Sequence, residues 1–219
     1  MDDELVLCVD FEAAGGNFNK NGFTQLGASI HVLKTGDKIA GFNEYSNMKG
    51  KEWDKKCVDE FWINHPKRYK ETLEKIEESP YTCEEVVVHF IEWMKKHIGD
   101  KKHIVISDNL VFDIGLLGCY FDGDIMYLLG GSKRTIYFET SSVYYGMHSA
   151  HKRVRLCQDS DMLSSKGIAL DVVKDLNEDH TLQYPKRGVN HDHNPENDAT
   201  SMGEKWCFIQ NSIHKVKDD

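Results

Sequence analysis

Leu5-Val6-Leu7-Cys8-Val9-Asp10-Phe11-Glu12 is a run of five apolar residues that meets two carboxylates separated by one aromatic residue. Such a run, bounded by polar residues and partly β-branched, reads as a buried strand. In an extended chain the side chains at i and i+2 share a side, so Asp10 and Glu12 can both reach one cation. A carboxylate placed directly after a buried run is expensive to bury without compensation. Turn residues at a strand end would look the same, and two acidic residues alone do not choose between the readings.

Outward from this strand, a Gly/Asn-rich turn (residues 15–22) leads to two further expected strands, at 23–33 and 38–45. Thr35-Gly36-Asp37 supplies the hairpin turn between them. From residue 54 the pattern turns helical: Val58, Phe61 and Trp62 fall at helical spacing, and His65-Pro66 marks a boundary. A polar helix is expected over 66–78. Thr82-Cys83-Glu84-Glu85 has the form of a capping box, after which Val86, Phe90, Trp93, Met94 and Ile98 trace one helix face up to Gly99. His103-Ile104-Val105-Ile106 reads as a second buried strand, followed by a helix over 110–120 and a short strand at Tyr137-Phe138. The basic stretch 146–165 lacks periodicity and reads as a substrate-facing segment, and helices are expected over 168–176 and 197–213, with a charged tail from about 214. Antiparallel strands followed by alternating helix and strand define an α/β fold with a mixed sheet, antiparallel first and then parallel, flanked by helices.

Two more acidic residues stand at structurally matched places. Asn109-Leu110-Val111-Phe112-Asp113 follows the second buried strand and sets Asp113 in the first turns of a helix. Strand ends are where open α/β sheets collect ligands, although an acid near a helix N-terminus also complements the dipole. In His193-Asn194-Pro195-Glu196-Asn197-Asp198, Asn194 suits the N-cap and Pro195 the first helical position. His193 and Asp198 then meet across the first turn, where a hydrophobic staple would otherwise sit. A metal-binding Asp beside a His able to take a proton from water is a useful chemical pair. His191, Asp192 and Glu196 are neighbouring decoys.

With 219 residues, 40% of them hydrophobic, the chain reads as one domain with a sizeable core. No apolar run approaches the ~20 residues that cross a bilayer. The acidic start Met1-Asp2-Asp3-Glu4 lacks the basic region of a signal peptide, so an intracellular protein (cytoplasm or nucleus) is expected. The six cysteines are scattered without a CxxC pair and read as reduced packing residues. A net charge of −9 argues against non-specific coating of duplex nucleic acid. It does not argue against a small end-trimming enzyme: a carboxylate metal site is neutralised only by its cations, and basic residues cluster at Lys133-Arg134, at 151–155 and at Lys186-Arg187.

Taken in order, Val9-Asp10-Phe11-Glu12, Asn109-x-x-Phe112-Asp113 and His193-x-x-x-x-Asp198 resemble the DEDDh 3′→5′ exonuclease superfamily. That group includes ribonuclease T, oligoribonuclease and the proofreading subunit of bacterial DNA polymerase III, on a ribonuclease H-like fold. Gln25-Leu26-Gly27-Ala28 also looks like the family's second strand, and the resemblance runs from Leu5 to about Phe208. It implies that Asp10, Glu12, Asp113 and Asp198 bind two Mg²⁺ or Mn²⁺ ions per site, with His193 as general base. The implied partner is the 3′ end of single-stranded RNA or DNA, and the implied product is a nucleoside 5′-monophosphate. Ala13 stands where many relatives have Thr, removing a hydroxyl contact to the terminal nucleotide. Glu60-Phe61-Trp62 with His65-Pro66 looks more loosely like a Trp-bearing helix of phage and mycobacterial members. Phe11, Ala13, Trp62, Asn109 and Phe112 are the candidate substrate contacts, with core packing the alternative for the aromatic ones. Members of the superfamily include dimers, and a homodimer stays open. A catalytically silent nucleic-acid-binding module on the same fold is the competing reading, and a phosphatase of small nucleotides a third.

Overall fold

Five strands hydrogen-bond in the order β3-β2-β1-β4-β5: β1 (Leu5–Ala13), β2 (Phe23–Val32), β3 (Lys38–Tyr45), β4 (His103–Ser107) and β5 (Thr135–Glu139). The structure is a computed structural model that describes residues 4–101, 103–121, 135–139 and 193–218, with the backbone path alone for 135–139 and 208–218. β1 pairs antiparallel with β2 and β2 with β3, whereas β1–β4 and β4–β5 are parallel. The expected mixed sheet is therefore present, with β1 at its centre. The helices are α1 (Phe18–Asn21), α2 (Lys55–Glu60), α3 (Pro66–Glu78), α4 (Cys83–His97), α5 (Leu110–Tyr120) and α6 (Pro195–Asp218), with a 3₁₀ turn at Trp62–Asn64. The expected segment 146–165 and helix 168–176 lie outside the described residues.

Alternation along β1 divides the interior in two. Leu5, Leu7, Val9 and Phe11 face one layer, packed with Val86, Phe90 and Met94 of α4 and Leu116 and Leu117 of α5. Val6 and Cys8 face the other, where Ile104 and Ile106 of β4 meet Ala199, Met202 and Trp206 of α6. The same period places Asp10 and Glu12 on the α6 side. Burial on both faces explains why β1 and β4 read as continuous apolar runs.

Local chemistry sets most boundaries. The Thr82–Glu85 capping box forms in full at the start of α4. Pro66 opens α3, and Asn109 caps α5. The helix expected through Phe61 instead breaks there: α2 buries no residue, and the chain tightens into the 3₁₀ turn that buries Trp62. α6 starts at Pro195, two residues before the expected start, and runs to Asp218 in place of the charged tail expected from about 214.

Two glycines let α6 lie directly on the sheet. A Cβ on Gly27 of β2 would fall 2.1 Å from the Glu196 backbone nitrogen, and one on Gly203 of α6 would fall 2.3 Å from the His31 ring. Backbone cannot retreat from such overlap without moving the helix. Gly27→Ala is therefore expected to destabilise the protein by about 2–3 kcal/mol, and more if α6 cannot shift. A urea melt compared with that of the solvent-facing control Gly16→Ala, where a Cβ meets nothing within 4 Å, checks this.

Candidate active site

The site lies where β1 and β4 end, beside the starts of α5 and α6. Glu12 sits opposite Gln25 and Asp10 opposite Gly27 in the β1–β2 register, so both carboxylates stand over the start of α6. Asn194 caps that helix: its Oδ1 accepts from the backbone N–H groups of Glu196 at 3.1 Å and Asn197 at 3.4 Å. His193, just before the cap, adopts a left-handed backbone with φ 56°. One ligand atom from each of Glu12, His193 and Asp198 lies within 4.8 Å of the others. His193 Nδ1 is 3.8 Å from Glu12 Oε1. The pairing of His193 with Asp198 across the first turn is thus present, and Glu12 joins it.

Asp113 enters from the opposite layer. Its carboxylate accepts hydrogen bonds from the Ser107 hydroxyl and from the backbone N–H of Phe11, which ties α5 to the centre of β1. Ser107 Oγ in turn accepts from the Asn109 N–H at 2.9 Å. Burial nevertheless pushes the Asp113 carboxyl up to about 7, with Asp108 adding repulsion. Asp10 is held well above the usual carboxylate range, first by burial and then by repulsion from Asp113, Glu12, Asp198 and Asp108. Repulsion of Asp10 by the other three expected ligands places all four acids in one electrostatic neighbourhood.

This donor set fits divalent cations. Buried oxygen ligands are what hard ions prefer, and the raised Asp10 and Asp113 carboxyls record a site short of positive charge. Among the described residues Glu12, His193 and Asp198 form a cluster with metal-ligand spacing. Glu196, one of the sequence decoys, is drawn away to Lys38 at 2.8 Å.

The candidate substrate contacts fare differently. Trp62 is fully buried, with Nε1 donating to the Ala13 carbonyl at 3.3 Å, so its ring is core and not a wall for a nucleotide. Phe11 points into the α4–α5 layer and packs edge-on against Phe23, because it alternates with Asp10 and Glu12. The Asn109 side chain accepts from the Phe112 N–H at 3.4 Å and so serves as a cap. Phe112 is half-buried, edge-on to Phe18, and Ala13 is half-buried with its carbonyl accepting from Trp62. Sequence reasoning missed Ser107 and Asp108, although a polar pair between a buried strand and a capped helix was a readable signal. It gave His65 no place in the site, yet the His65 ring packs 4.4 Å from that of His193.

No protein-family model matches this sequence, and no curated protein matches it by sequence. Solved structures do match in fold. Cell-death related nuclease 4 (CRN-4) superposes with a TM-score of 0.54 at 16% identity, over 95% of this chain and 64% of that one. The nuclease domain of 3′hExo, a DEDDh family member, bound to rAMP, gives 0.53 at 12% identity, over 95% and 92% of the two chains. Product-bound exonuclease I gives 0.50 at 14% identity, over 99% of this chain and 46% of that one. The chain thus spans about two-thirds of the length of cell-death related nuclease 4 and about half that of exonuclease I. These likenesses establish that the chain shares the mixed-sheet, ribonuclease H-like α/β fold of those structures.

The raised Asp113 carboxyl sets a pH dependence. The folded protein holds that proton more tightly than the unfolded chain, so between the ordinary value of 3.8 and about 7 the native state binds more protons. Stability from this group is then present at low pH and lost as pH rises through that window. Asp113→Asn removes the penalty, which for a shift of this size is at most about 4 kcal/mol. In metal-free buffer it is expected to be more stable than wild type at pH 8 by a few kcal/mol, and to show no such gain near pH 4, as read by urea melts at both values.

Proposed function

We propose that this chain is a divalent-metal-dependent 3′→5′ exonuclease that removes nucleoside 5′-monophosphates from the 3′ end of single-stranded RNA or DNA. The observation that carries the reading is the convergence of Asp10, Glu12, Asp113 and Asp198 from three elements on one buried corner, with His193 beside Glu12. The ribonuclease H-like exonuclease fold supports it.

Asp10, Glu12, Asp113 and Asp198 would hold two Mg²⁺ or Mn²⁺ ions. When bound, such a pair supplies positive charge to the attacking and leaving oxygens of an in-line displacement. His193 takes a proton from the attacking water, and its contact with Glu12 orients the ring for that task. The water oxygen bonds to phosphorus, and the bond from phosphorus to the 3′ oxygen of the preceding nucleotide breaks. That oxygen leaves as the new 3′ hydroxyl once protonated. Ser107 and the Phe11 N–H hold the Asp113 carboxylate in place, as a ligand would need to be held.

With Mn²⁺, the purified protein is expected to shorten a 5′-labelled single-stranded oligonucleotide stepwise, releasing mononucleotides. Asp10→Ala is expected to abolish this, and His193→Ala to lower kcat by about 10²–10⁴-fold. Running matched RNA and DNA, single- and double-stranded, sets the preference. Equal inertness of wild type and Asp10→Ala on all of them would sink the proposal. Titrating Mn²⁺ into metal-free protein at pH 8 is expected to raise Tm in the wild type and much less in Asp10→Ala, by mass action on the folded state.

A further inference from the structure

We propose that Phe61 and His65 form an aromatic seat that fixes the His193 imidazole against Glu12, with His65 as a positioning residue for the general base. This rests on the exonuclease reading above for its consequence in catalysis, though the seat itself is a feature of the fold.

His193 stands just before the N-cap of α6 in a left-handed backbone conformation. Two rings pack against its imidazole. Phe61 meets the imidazole edge-on, with centroids 4.9 Å apart and planes at 87°, and His65 meets it at 4.4 Å and 64°. Phe61 and His65 also pack on each other at 5.0 Å, so three rings close a triangle. Edge-to-face contacts of this kind add about 0.5–1.5 kcal/mol each beyond burial, and they fix ring orientation.

The seat is anchored to the strand that carries the carboxylates. Between the two seat residues, Trp62 is fully buried and donates to the Ala13 carbonyl, immediately after Glu12. Asp54, at the head of the same segment, donates its backbone N–H to the Ala14 carbonyl at 2.8 Å. Trp53 and Tyr69 pack on Trp62 at 5.5 and 5.6 Å and brace it from behind. A closed circuit results: Glu12 to Ala13, Ala13 to Trp62, Trp62 to Phe61 and His65, those two rings to His193, and His193 back to Glu12 at 3.8 Å. Distance between base and carboxylate is thereby set twice, through β1 and through α6.

The identity of residue 65 points the same way. It is the N-cap of α3, a position where Ser, Thr, Asp or Asn would satisfy a free backbone N–H. His65 makes no side-chain cap bond, and its ring is turned to His193 instead. Capping is given up for a contact across the site.

Positioning predicts a defined signature. In His65→Ala and in the volume-retaining His65→Leu, kcat on a single-stranded oligonucleotide is expected to fall about 10–100-fold, with KM and Mn²⁺ affinity unchanged, because misplacement by about 1 Å acts on the chemical step. His65→Phe keeps a ring and is expected to restore most of the rate. Independently of activity, the His193 ring-proton resonance in metal-free protein, assigned by its loss in His193→Ala, is expected to shift in His65→Leu and Phe61→Leu and to stay put in Lys67→Ala. Wild-type kcat and an unmoved resonance in His65→Leu would overturn the proposal. So would a His65→Phe protein as slow as His65→Leu, which would assign the effect to a polar contact of His65. An inert wild type with a shifted resonance would instead remove the exonuclease reading and leave the seat in place.

Discussion

Glu12, Asp113 and Asp198 are buried and Asp10 half-buried at one corner, and like charges there repel through a medium that screens far less than water. Two outcomes relieve such a cluster: protons stay on, or cations come in. The rest of the site can be understood as machinery for holding the acids together against that repulsion. Ser107 and the Phe11 N–H grip Asp113, the Asn194 cap fixes the turn that carries Asp198, and β1 presents Asp10 and Glu12 on one face. Of these, the hydrogen bonds to Asp113 favour its ionised carboxylate over the protonated one. Burial opposes them and keeps Asp10 and Asp113 high. The balance leaves that corner short of positive charge.

The framework around that corner is stiff. β1 is hydrogen-bonded on both sides and buried on both faces, and α6 rests on the β1–β2 pair without intervening side chains at Gly27 and Gly203. Close packing of this sort leaves few ways to relax, so a small displacement of α6 is transmitted directly to His193 and Asp198. The segment from Asp54 to Tyr69 closes the remaining side. It joins two contacts in one stretch: Trp62 fastens to the end of β1, and its neighbours Phe61 and His65 pack on His193.

The overall negative charge takes on a local meaning in this setting. Many acidic residues lie in exposed i,i+4 pairs such as Lys67–Glu71 and Lys70–Glu74 on α3, which add little to stability. The acids that matter are few and buried. A cluster of this kind adds to the negative charge of the free chain while offering the oxygen donors that divalent cations prefer.

Sequence alone determined the elements and the cast of the site. Alternating and unbroken apolar runs gave strands β1 to β4, and cap chemistry gave α3, α4 and α5 nearly to the residue, because these signals act over a few positions. The carboxylates were legible because an acid at the end of a buried run is unusual, and the His193–Asp198 pair because helix geometry joins residues across one turn. Which side a ring faces was not legible in the same way. Phe11 and Trp62 sit next to the site in sequence and yet belong to the core, the first by strand alternation and the second because α2 breaks at Phe61. Nor could sequence bring His65 to His193, since 128 positions separate them and only the packing of α3 and α6 around the end of β1 closes that distance. Local rules write the ligands along the chain; long-range contacts decide which neighbours aim them.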